Sequence, residues 1–498
     1  MRLGSILVTS GALARSVPTL VDPLTGIRLG FGVLLALAAM AGCVTYRSQP
    51  LHPSETAARF EARRLDDAGL RRFVEAEIGH PVKDWPPAAM DFEQLYLAAL
   101  YFSPDLDVAR AQLAAAEAAV VTAGQRGNPA VAATPEWVSN AAAGVTPWVL
   151  SVTLDVPLTT AGKRAIRIAE ARNLSEAARL RLGDQAWQVR SRLRSRLVEL
   201  LQARQAEALL LRQDGVAQER MRLLDARFAN GEVARLEVIL GRRERERVAL
   251  ALGQAREERA VALVRVADAI GVSAPALAGE AIDFGFTGRL PAEEELGTRD
   301  VRAEALLNRP DILTALAEYA ASETALQLEV ARQYPDIHLG PGYTFDKGSN
   351  QWALGVGLVL PVMNRNQGPI AEAEARRREA AARFIALQAR AIAEADGALA
   401  GYRGALATLA TARGLLAADD AALAAADTQF SSGEAGRLSL VDAEVARSAV
   451  ALAVLDAQAA AQRALGRVED AVRRPLAPAT PLPAVSGADP PAAMEDRP

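Results

Sequence analysis

The chain has 498 residues, half of them hydrophobic, and a formal net charge of −4. Because there is no excess of basic residues, nucleic acid is not an expected partner. Three histidines and one cysteine leave little material for a zinc site or a disulfide framework, and no cofactor is expected. Aromatic residues make up only 5% and charged residues 23%. This profile is typical of long, closely packed helices and not of several compact cores.

The start of the chain carries an export signal. Residues 29–41 form an apolar run too short to span a bilayer, and Arg28 precedes it. The run leads into Met40-Ala41-Gly42-Cys43, which resembles a bacterial lipobox. We therefore expect a lipoprotein signal peptide at 1–42, a lipid-modified (palmitate-bearing) Cys43 and delivery to the outer membrane. The alternative is an ordinary cleaved signal followed by an incidental cysteine.

The next part of the chain alternates strands with helices. A helix begins at Asp91 and breaks near Ser103-Pro104, and a second runs on to about Arg126. No proline interrupts 161–228, which predicts a helix on the order of 100 Å long. Asn230-Gly231 ends it, and a second long helix returns. The predicted segments are an N-terminal periplasmic segment at 43–90 with short helices, and a first repeat at 91–275 with a strand hairpin at about 129–158 and a helical hairpin at about 161–270.

Two stretches read as unusually long strands. From Trp148 to Leu158 large apolar residues alternate with Ser151, Thr153 and Asp155, and 352–362 repeats the alternation. Eleven residues is the length of a tilted strand that spans a bilayer. Pro157 and Pro361 cannot donate to a ladder, so we expect each strand to stop there.

The second half of the chain repeats the first. Pro104 and Pro310 lie 206 residues apart, Pro157 and Pro361 lie 204 apart, and Gly231 and Gly433 lie 202 apart. A drift of two residues at turns is what a duplicated unit allows. The predicted segments are a linker at 276–300, a second repeat at 301–474 with a strand hairpin at about 335–362 and a helical hairpin at about 369–472, and a disordered Pro/Ala-rich tail at 475–498.

Four membrane-type strands per chain cannot close a barrel. Open strand edges in hydrocarbon would leave backbone groups unpaired, so other copies of the chain must complete the sheet. Two copies would give eight strands, too few to leave a passage, whereas three give twelve. The predicted fold is mainly α with a β-barrel portion. It is a homotrimer in which a 12-stranded outer-membrane barrel continues as a 12-helix periplasmic α-barrel.

At this point the sequence resembles the TolC-type outer-membrane efflux proteins, a family that includes lipoproteins. The resemblance covers about 91–474. It rests on the duplication, the Arg309-Pro310-Asp311 motif, the turn at 160–164 and the paired Phe-x-x-Gly-Glu-x-x-Arg-Leu motifs at 228–236 and 430–438. It implies an exit duct without enzymatic activity, working with a periplasmic adaptor and an inner-membrane pump of the resistance–nodulation–division or an ATP-driven type. It also places the paired motifs at the periplasmic tips, where an adaptor docks: Phe228, Gly231, Glu232, Arg235, Leu236, Phe430, Gly433, Glu434, Arg437 and Leu438.

A gate is expected at the same tips. The family often has an aspartate six residues after the motif glycine, and here those positions are Glu237 and Ser439. Asp442, one turn further, could replace the missing carboxylate, so that Glu237 and Asp442 form rings of acids in a trimer and favour cations. The alternative is that both are solvated helix-face charges. The two motif glycines are expected to adopt positive φ. Arg235 and Arg437 could pair between helices or lie free on the surface, and Leu236 and Leu438 could face an adaptor or the tip core.

Other functions fit less well. A lipid-anchored periplasmic coiled-coil scaffold explains Cys43 and the long helices but not two long alternating strands. A metal-binding protein would need clustered His, Cys or Met, and no catalytic motif is present; Gly162-Lys163 lacks the glycine-rich lead of a phosphate loop. The turn at 160–164 looks like that of a subgroup found beside heavy-metal exporters. The cargo itself is not specified by the sequence.

Overall fold

The computed structural model describes residues 44–476. Cys43, the expected signal peptide and the predicted tail beyond residue 476 therefore lie outside the described residues. The chain divides into two units, Met1–Arg59 and Phe60–Pro498. The described part of the first unit has no helix or strand before a short helix, α1 (Pro53–Glu61), which has no buried residues. The second unit contains the elements that matter for function.

The first half of the second unit has short helices, a strand hairpin and a long helical hairpin. Asp91 caps α3 through a capping box with Gln94, and Ser103 caps α4, whose first residue is Pro104. Gly183 and Gly215 do not interrupt α5, which has 67 residues and a length of roughly 100 Å. The elements are α2 (Ala68–Ile78), α3 (Phe92–Phe102), α4 (Pro104–Ala123), β1 (Ala130–Trp137), β2 (Trp148–Leu158), α5 (Lys163–Ala229), α6 (Arg235–Ile270) and a single turn, α7 (Ala274–Leu277).

The second half follows the same order. Two short 3₁₀ turns, Gly285–Thr287 and Glu293–Glu295, precede it. A 22-residue helix again leads into a strand hairpin, and a helix of 65 residues is again followed by one of 36. The elements are α8 (Thr298–Leu307), α9 (Pro310–Ala331), β3 (Ile337–Asp346), β4 (Ser349–Leu358), α10 (Gln367–Ser431) and α11 (Arg437–Val472).

The four strands form one antiparallel sheet in the order β1-β2-β3-β4. The pairing register separates two faces. One face carries small and polar side chains, among them Ser151 hydrogen-bonded to Thr344 and Asp155 hydrogen-bonded to His338. The other is apolar, with ring pairs Trp137–Trp148 and Tyr343–Trp352 at or near the hairpin turns. It carries Val131, Trp137, Trp148, Leu150, Val152, Leu154, Val156, Leu339, Tyr343, Phe345, Trp352, Leu354, Val356 and Leu358.

The predicted end of the last strand is wrong. The sequence indicated a strand over 352–362 stopped by Pro361, but β4 ends at Leu358. Its last partner is Ile337, the first residue of β3. The residues before Ile337 do not extend the ladder. Pro335 has no N–H to donate, and its carbonyl accepts a hydrogen bond from the hydroxyl of Thr160, in the turn before α5, whose N–H also donates to the Asp336 carboxylate. Pro157 also does not stop its strand at once, since β2 continues to Leu158.

The main hydrophobic core surrounds α3, whose side chains are almost all buried. α3 packs against the middle of α5, around Leu193 and Leu197, and against the end of α6, around Val266 and Ile270. A smaller core joins α8 to α10 and α11 around Ala305, Tyr402 and Val468. These cores pack around the middle of α5 and α10, away from the sheet at one end and from the helical turns at the other.

Buried charges join the two repeats at this level. Glu469 of α11 accepts a hydrogen bond from Arg190 (3.3 Å) and forms an ion pair with Arg194 (3.2 Å), both of α5, and all three side chains are at most 7% exposed. Arg194 also donates to the Gln462 carbonyl. Burial lowers the pKa of Arg194, partly offset by Glu469. A buried carboxylate needs such partners, because leaving it unpaired is strongly unfavourable.

Arg309 of the Arg-Pro-Asp motif plays a similar part in the second repeat. Its side chain is 3% exposed, forms two bonds to Asp311 and one to Glu394 of α10, and donates to the Ala471 carbonyl of α11. Although burial would lower it, hydrogen bonds to Asp311 and Glu394 raise the pKa of Arg309. One guanidinium thus fixes the start of α9 to two long helices.

Arg309→Gln should lower the free energy of unfolding by roughly 2–4 kcal/mol, because it removes several buried charge-assisted bonds at once. The matched control is Arg302→Gln. Arg302 forms an exposed ion pair with Asp396, which lies on α10 as Glu394 does. That change should cost much less, because water screens the exposed pair. Denaturant unfolding in detergent, followed by helical circular dichroism, compares them. Equal losses would contradict the structural role assigned to Arg309.

Candidate functional site at the helix tips

Each Phe-x-x-Gly-Glu motif ends a long helix in a Schellman motif. At the end of α5, Gly231 N–H donates to the Phe228 carbonyl (3.0 Å) and Glu232 N–H to the Arg227 carbonyl (2.9 Å). Gly231 has φ +76°, as its motif position predicts. A residue with a side chain is disfavoured there because Cβ would crowd the following carbonyl.

The second tip repeats this geometry. Gly433 N–H donates to Phe430 (3.1 Å), Glu434 N–H donates to Gln429 (2.8 Å), and Gly433 has φ +79°. Since the same two hydrogen bonds and the same glycine conformation recur at both tips, the repeated motif encodes a helix stop followed by a tight reversal into the returning helix. This accounts for the motif glycines without any ligand.

Two ion pairs connect the tips of the different repeats. Arg437 at the start of α11 donates to Glu219 of α5 at 2.8 Å, and Arg220 of α5 donates to Asp442 of α11 at 2.6 Å. We call these four side chains the tip latch. Adjacent residues of α5 therefore use opposite charges to bind the same partner helix. The hydrogen bond from Arg437 lowers the pKa of Glu219, so this carboxylate is ionised over the whole neutral range.

The two expected gate residues are not equivalent within one chain. Asp442 is committed to Arg220. Glu237, at the start of α6, is exposed and has neither a side-chain hydrogen bond nor an ion pair among the described residues. The chain brings Asp442 into the tip latch and leaves the Glu237 carboxylate available for contacts outside the protomer.

The arginine and leucine of the two motifs also differ in how they pack. Arg437 binds Glu219 and lies 5.8 Å from the Phe430 ring centre, whereas Arg235 has no such partner in the described part of the chain. Leu236 is 63% exposed, but Leu438 packs against the small tip core. That core consists of Met221, Leu224 and Val238, with Val233 at its edge. The second-repeat motif thus packs inward on the first repeat, and the first-repeat motif faces outward.

The remaining motif positions are exposed. Phe228 and Phe430 are 43% and 38% exposed. Glu232 lies 3.6 Å from Arg227, while the Glu434 side chain makes no hydrogen bond or ion pair within the described chain. Gly241 of α6 has a separate role. A Cβ there would lie 2.7 Å from Leu224 and 2.9 Å from Met221, so glycine permits close packing of α6 on α5.

Sequence reasoning missed Glu219 and Arg220. They occupy a helix in which arginine and glutamate recur throughout, and their partners lie 218 and 222 residues away. No local spacing identifies such a contact. Within residues 44–476 no group of three or more His, Cys, Asp and Glu is placed to hold a metal ion. No helix among them is long and apolar enough to cross a membrane.

A family model described as outer membrane efflux protein matches residues 95–272 and 301–472, which is the duplicated unit with its sheet and both helical hairpins. The chain belongs to the outer membrane efflux protein family. The members of this family are channels of the TolC-like type, which are not enzymes.

Individual relatives agree with this assignment. The chain is 24% identical over 235 residues to the cobalt-zinc-cadmium resistance protein CzcC of Cupriavidus metallidurans, a match that spans 47% of this chain and about half, 55%, of that relative. The outer membrane protein VceC of Vibrio cholerae is 21% identical with a TM-score of 0.62, covering 76% of this chain and 95% of VceC. The CmeC outer membrane channel of Campylobacter jejuni is 15% identical with a TM-score of 0.62, covering 86% and 94%. At these identities the structures establish the fold.

Gly231→Ala and Gly433→Ala should each destabilise their tip by roughly 1–2 kcal/mol, since alanine must adopt a left-handed backbone. Open space surrounds both positions, so no side-chain clash contributes. Gly215→Ala, in the middle of α5 and also in open space, is the matched control and should stabilise the helix by about 0.5–1 kcal/mol. Amide hydrogen exchange at 224–240 and 426–442 provides the measurement. Unchanged protection in both tip variants would show that these turns tolerate alanine without strain.

Proposed function

We propose that the protein is the outer-membrane exit duct of a tripartite efflux system, working as a homotrimer anchored through lipid at Cys43. The observation that carries the proposal is the sheet. One face presents Trp352, Leu354 and Val356 at 82%, 70% and 61% exposure, and its outer strands β1 and β4 each have one unpaired edge. A surface this apolar needs a hydrocarbon environment, where edges must also be paired.

Three copies satisfy both requirements. Joining β4 of each copy to β1 of the next gives a closed barrel of twelve strands with the apolar face outward and the polar face, with Asp155 and His338, toward the lumen. The long helices then extend away from the membrane as a periplasmic tube of twelve helices. Such a duct conducts passively, and the pump to which it is coupled supplies the energy.

The helix tips are the proposed docking site for a periplasmic adaptor. Phe228, Arg235 and Leu236 are exposed and have no partner within the chain's tip core. An aromatic, an arginine and a leucine at a rigid turn are residues that form interface anchors. The second-repeat motif supplies Phe430 and Glu434, while Arg437 and Leu438 support the tip from within.

The inner-membrane partner is proposed to be a resistance–nodulation–division pump, and metal ions are the favoured cargo. The support is similarity to a protein named for cobalt, zinc and cadmium resistance. Since no metal cluster occurs among the described residues, metal selection would reside in the pump.

The tip latch is the proposed lock of an iris-like gate. Its pairs join α5 to α11, so separating them lets α11 and α10 of each chain move away from α5 at the tip. The latch side chains are 29–46% exposed, and ion pairs this exposed to water contribute little to stability. The latch therefore holds the closed state while remaining easy to open. Glu237 is proposed to contribute an acidic ring at the constriction.

The duct is tested by purification in detergent, mass measurement and single-channel conductance in a planar bilayer. A mass of three chains and a small, cation-preferring conductance are expected. A soluble elongated monomer, or a folded trimer without conductance, would instead support the lipid-anchored coiled-coil scaffold.

The same assay tests the latch. The double variant Arg220→Gln with Arg437→Gln should raise conductance several-fold by freeing the closed tip. A second double variant, Glu219→Arg with Arg437→Glu, exchanges the two charges of one pair and should keep a conductance close to the wild-type value. Arg447→Gln is the matched control, because Arg447 pairs with Asp420 between the two helices of one repeat. Equal effects of the control and the latch variant would refute the gate.

The latch should open in acid only. Because the folded-state pKa of Glu219 is depressed by Arg437, its contribution is fully present above the ordinary value of 4.5 and disappears as pH falls through the lower folded-state value. Wild-type conductance should therefore stay low from pH 7 to about 5 and rise below about 4.5. In Arg437→Gln that acid step should be lost. A wild-type rise centred near pH 6 would exclude Glu219 as the responsible group.

A further inference from the structure

A groove lies where the sheet meets the long helices. It has a volume of about 590 Å³ and lies between the start of α5, the end of α9 and the segment 359–366 after β4. One part of its lining is apolar and the other is polar, with three basic residues and one acidic residue. The lining residues are Thr159, Lys163, Arg167, Leu328, Arg332, Gln333, Tyr334, Pro335, Asp336, Val359, Leu360, Pro361, Met363, Asn364 and Asn366.

The acidic groups at the groove are already occupied. Asp336 accepts from Lys163 Nζ (2.9 Å) and from the Thr160 N–H (2.9 Å). Glu329 accepts from Arg332 Nη1 (2.5 Å) and Asn366 Nδ2 (2.8 Å). These bonds hold the walls of the groove in place and neutralise two of its three cations.

Arg167 is the cation left over. It is half-buried, it lines the groove, and its Nε is buried with no hydrogen-bond partner in the described structure. Glu170, one turn further along α5, forms no ion pair with it in residues 44–476. A buried donor without a partner is unfavourable, so this guanidinium is set up to bind an anion that enters the groove. Lys163 retains one further N–H beyond its bonds to Tyr334 and Asp336.

The apolar side of the groove belongs to the same segment that ends β4. Val359, Leu360 and Met363 are 78%, 66% and 92% exposed. They follow directly on Leu358, the last residue of the apolar sheet face. An anion-binding guanidinium beside exposed aliphatic side chains, at the edge of a lipid-facing sheet, matches a molecule with a phosphate headgroup and an acyl chain.

We propose that the groove binds one acidic phospholipid per chain, with its phosphate on Arg167 and Lys163 and its acyl chain against Leu360 and Met363. The proposal rests on the membrane position of the sheet assigned under the proposed function. The bound lipid would hold the junction of sheet and helices at the inner surface of the membrane, where basic pockets recognise anionic headgroups.

The test uses the full-length protein in nanodiscs made of equal parts phosphatidylglycerol and phosphatidylethanolamine, followed by native mass spectrometry after gentle delipidation. Wild type should retain phosphatidylglycerol, about one per chain, in preference to phosphatidylethanolamine. Arg167→Gln should weaken retention roughly tenfold or more, as expected for loss of a charge-assisted bond. Arg172→Gln is the matched control, because Arg172 is an exposed arginine of the same helix without an ion pair in the described chain, and it should leave retention unchanged.

Three outcomes would overturn the proposal. Equal retention in wild type and Arg167→Gln would mean that the groove does not select the lipid. Displacement of the lipid by millimolar inorganic phosphate would indicate a site for free anions. Loss of trimer mass in Arg167→Gln, with lipid retention per chain intact, would assign the groove to a neighbouring chain. Conductance of the wild-type trimer separates the lipid site from the duct, since a conducting wild-type trimer that fails to retain phosphatidylglycerol refutes the lipid site alone.

Discussion

The buried contact between Glu469 and the arginine pair of α5 fixes how the two repeats fit together. A carboxylate that is 3% exposed requires both Arg190 and Arg194, so only one register of α11 along α5 satisfies it. Arg437 lies 32 residues earlier in the same helix, about 48 Å away along the axis. Because the intervening helix is unbroken, the register set at Glu469 determines which residues of α5 meet α11 at the tip.

The sheet is tied to the helices by a second set of polar contacts. Thr160 and Lys163 hold the Tyr334-Pro335-Asp336 segment through side-chain and backbone bonds. This junction connects the end of β2 to the start of β3 and thereby ends the ladder at Ile337. The motif turn at 160–164 therefore has a structural explanation that applies whatever the cargo is. Its resemblance to turns found beside metal exporters carries correspondingly little information about what passes through.

Sequence patterns predicted the features that depend on local chemistry. Gly231 and Gly433 adopt positive φ because only a residue without Cβ fits the motif comfortably, and proline-free periodic stretches became continuous helices. The end of β4 was predicted wrongly because it depends on where β3 finds its first partner, not on Pro361. The partners of Arg437 and Asp442 could not be read from spacing, as both lie more than 200 residues away. The outward position of Leu236 and the inward one of Leu438 likewise follow from packing between repeats, although the two motifs are alike in sequence.

The strength of the links between repeats falls along the helices. At the middle, Glu469 and its arginines are buried, and a buried pair costs several kcal/mol to break. At the tip, the Arg220–Asp442 and Arg437–Glu219 pairs are partly exposed, so water screens them and each contributes little. A force that separates α11 from α5 therefore breaks the tip contacts long before it disturbs the middle. The small tip core adds little resistance, since it contains only Met221, Leu224 and Val238. The contacts between the two repeats are therefore weakest at the tip and strongest at the buried cluster.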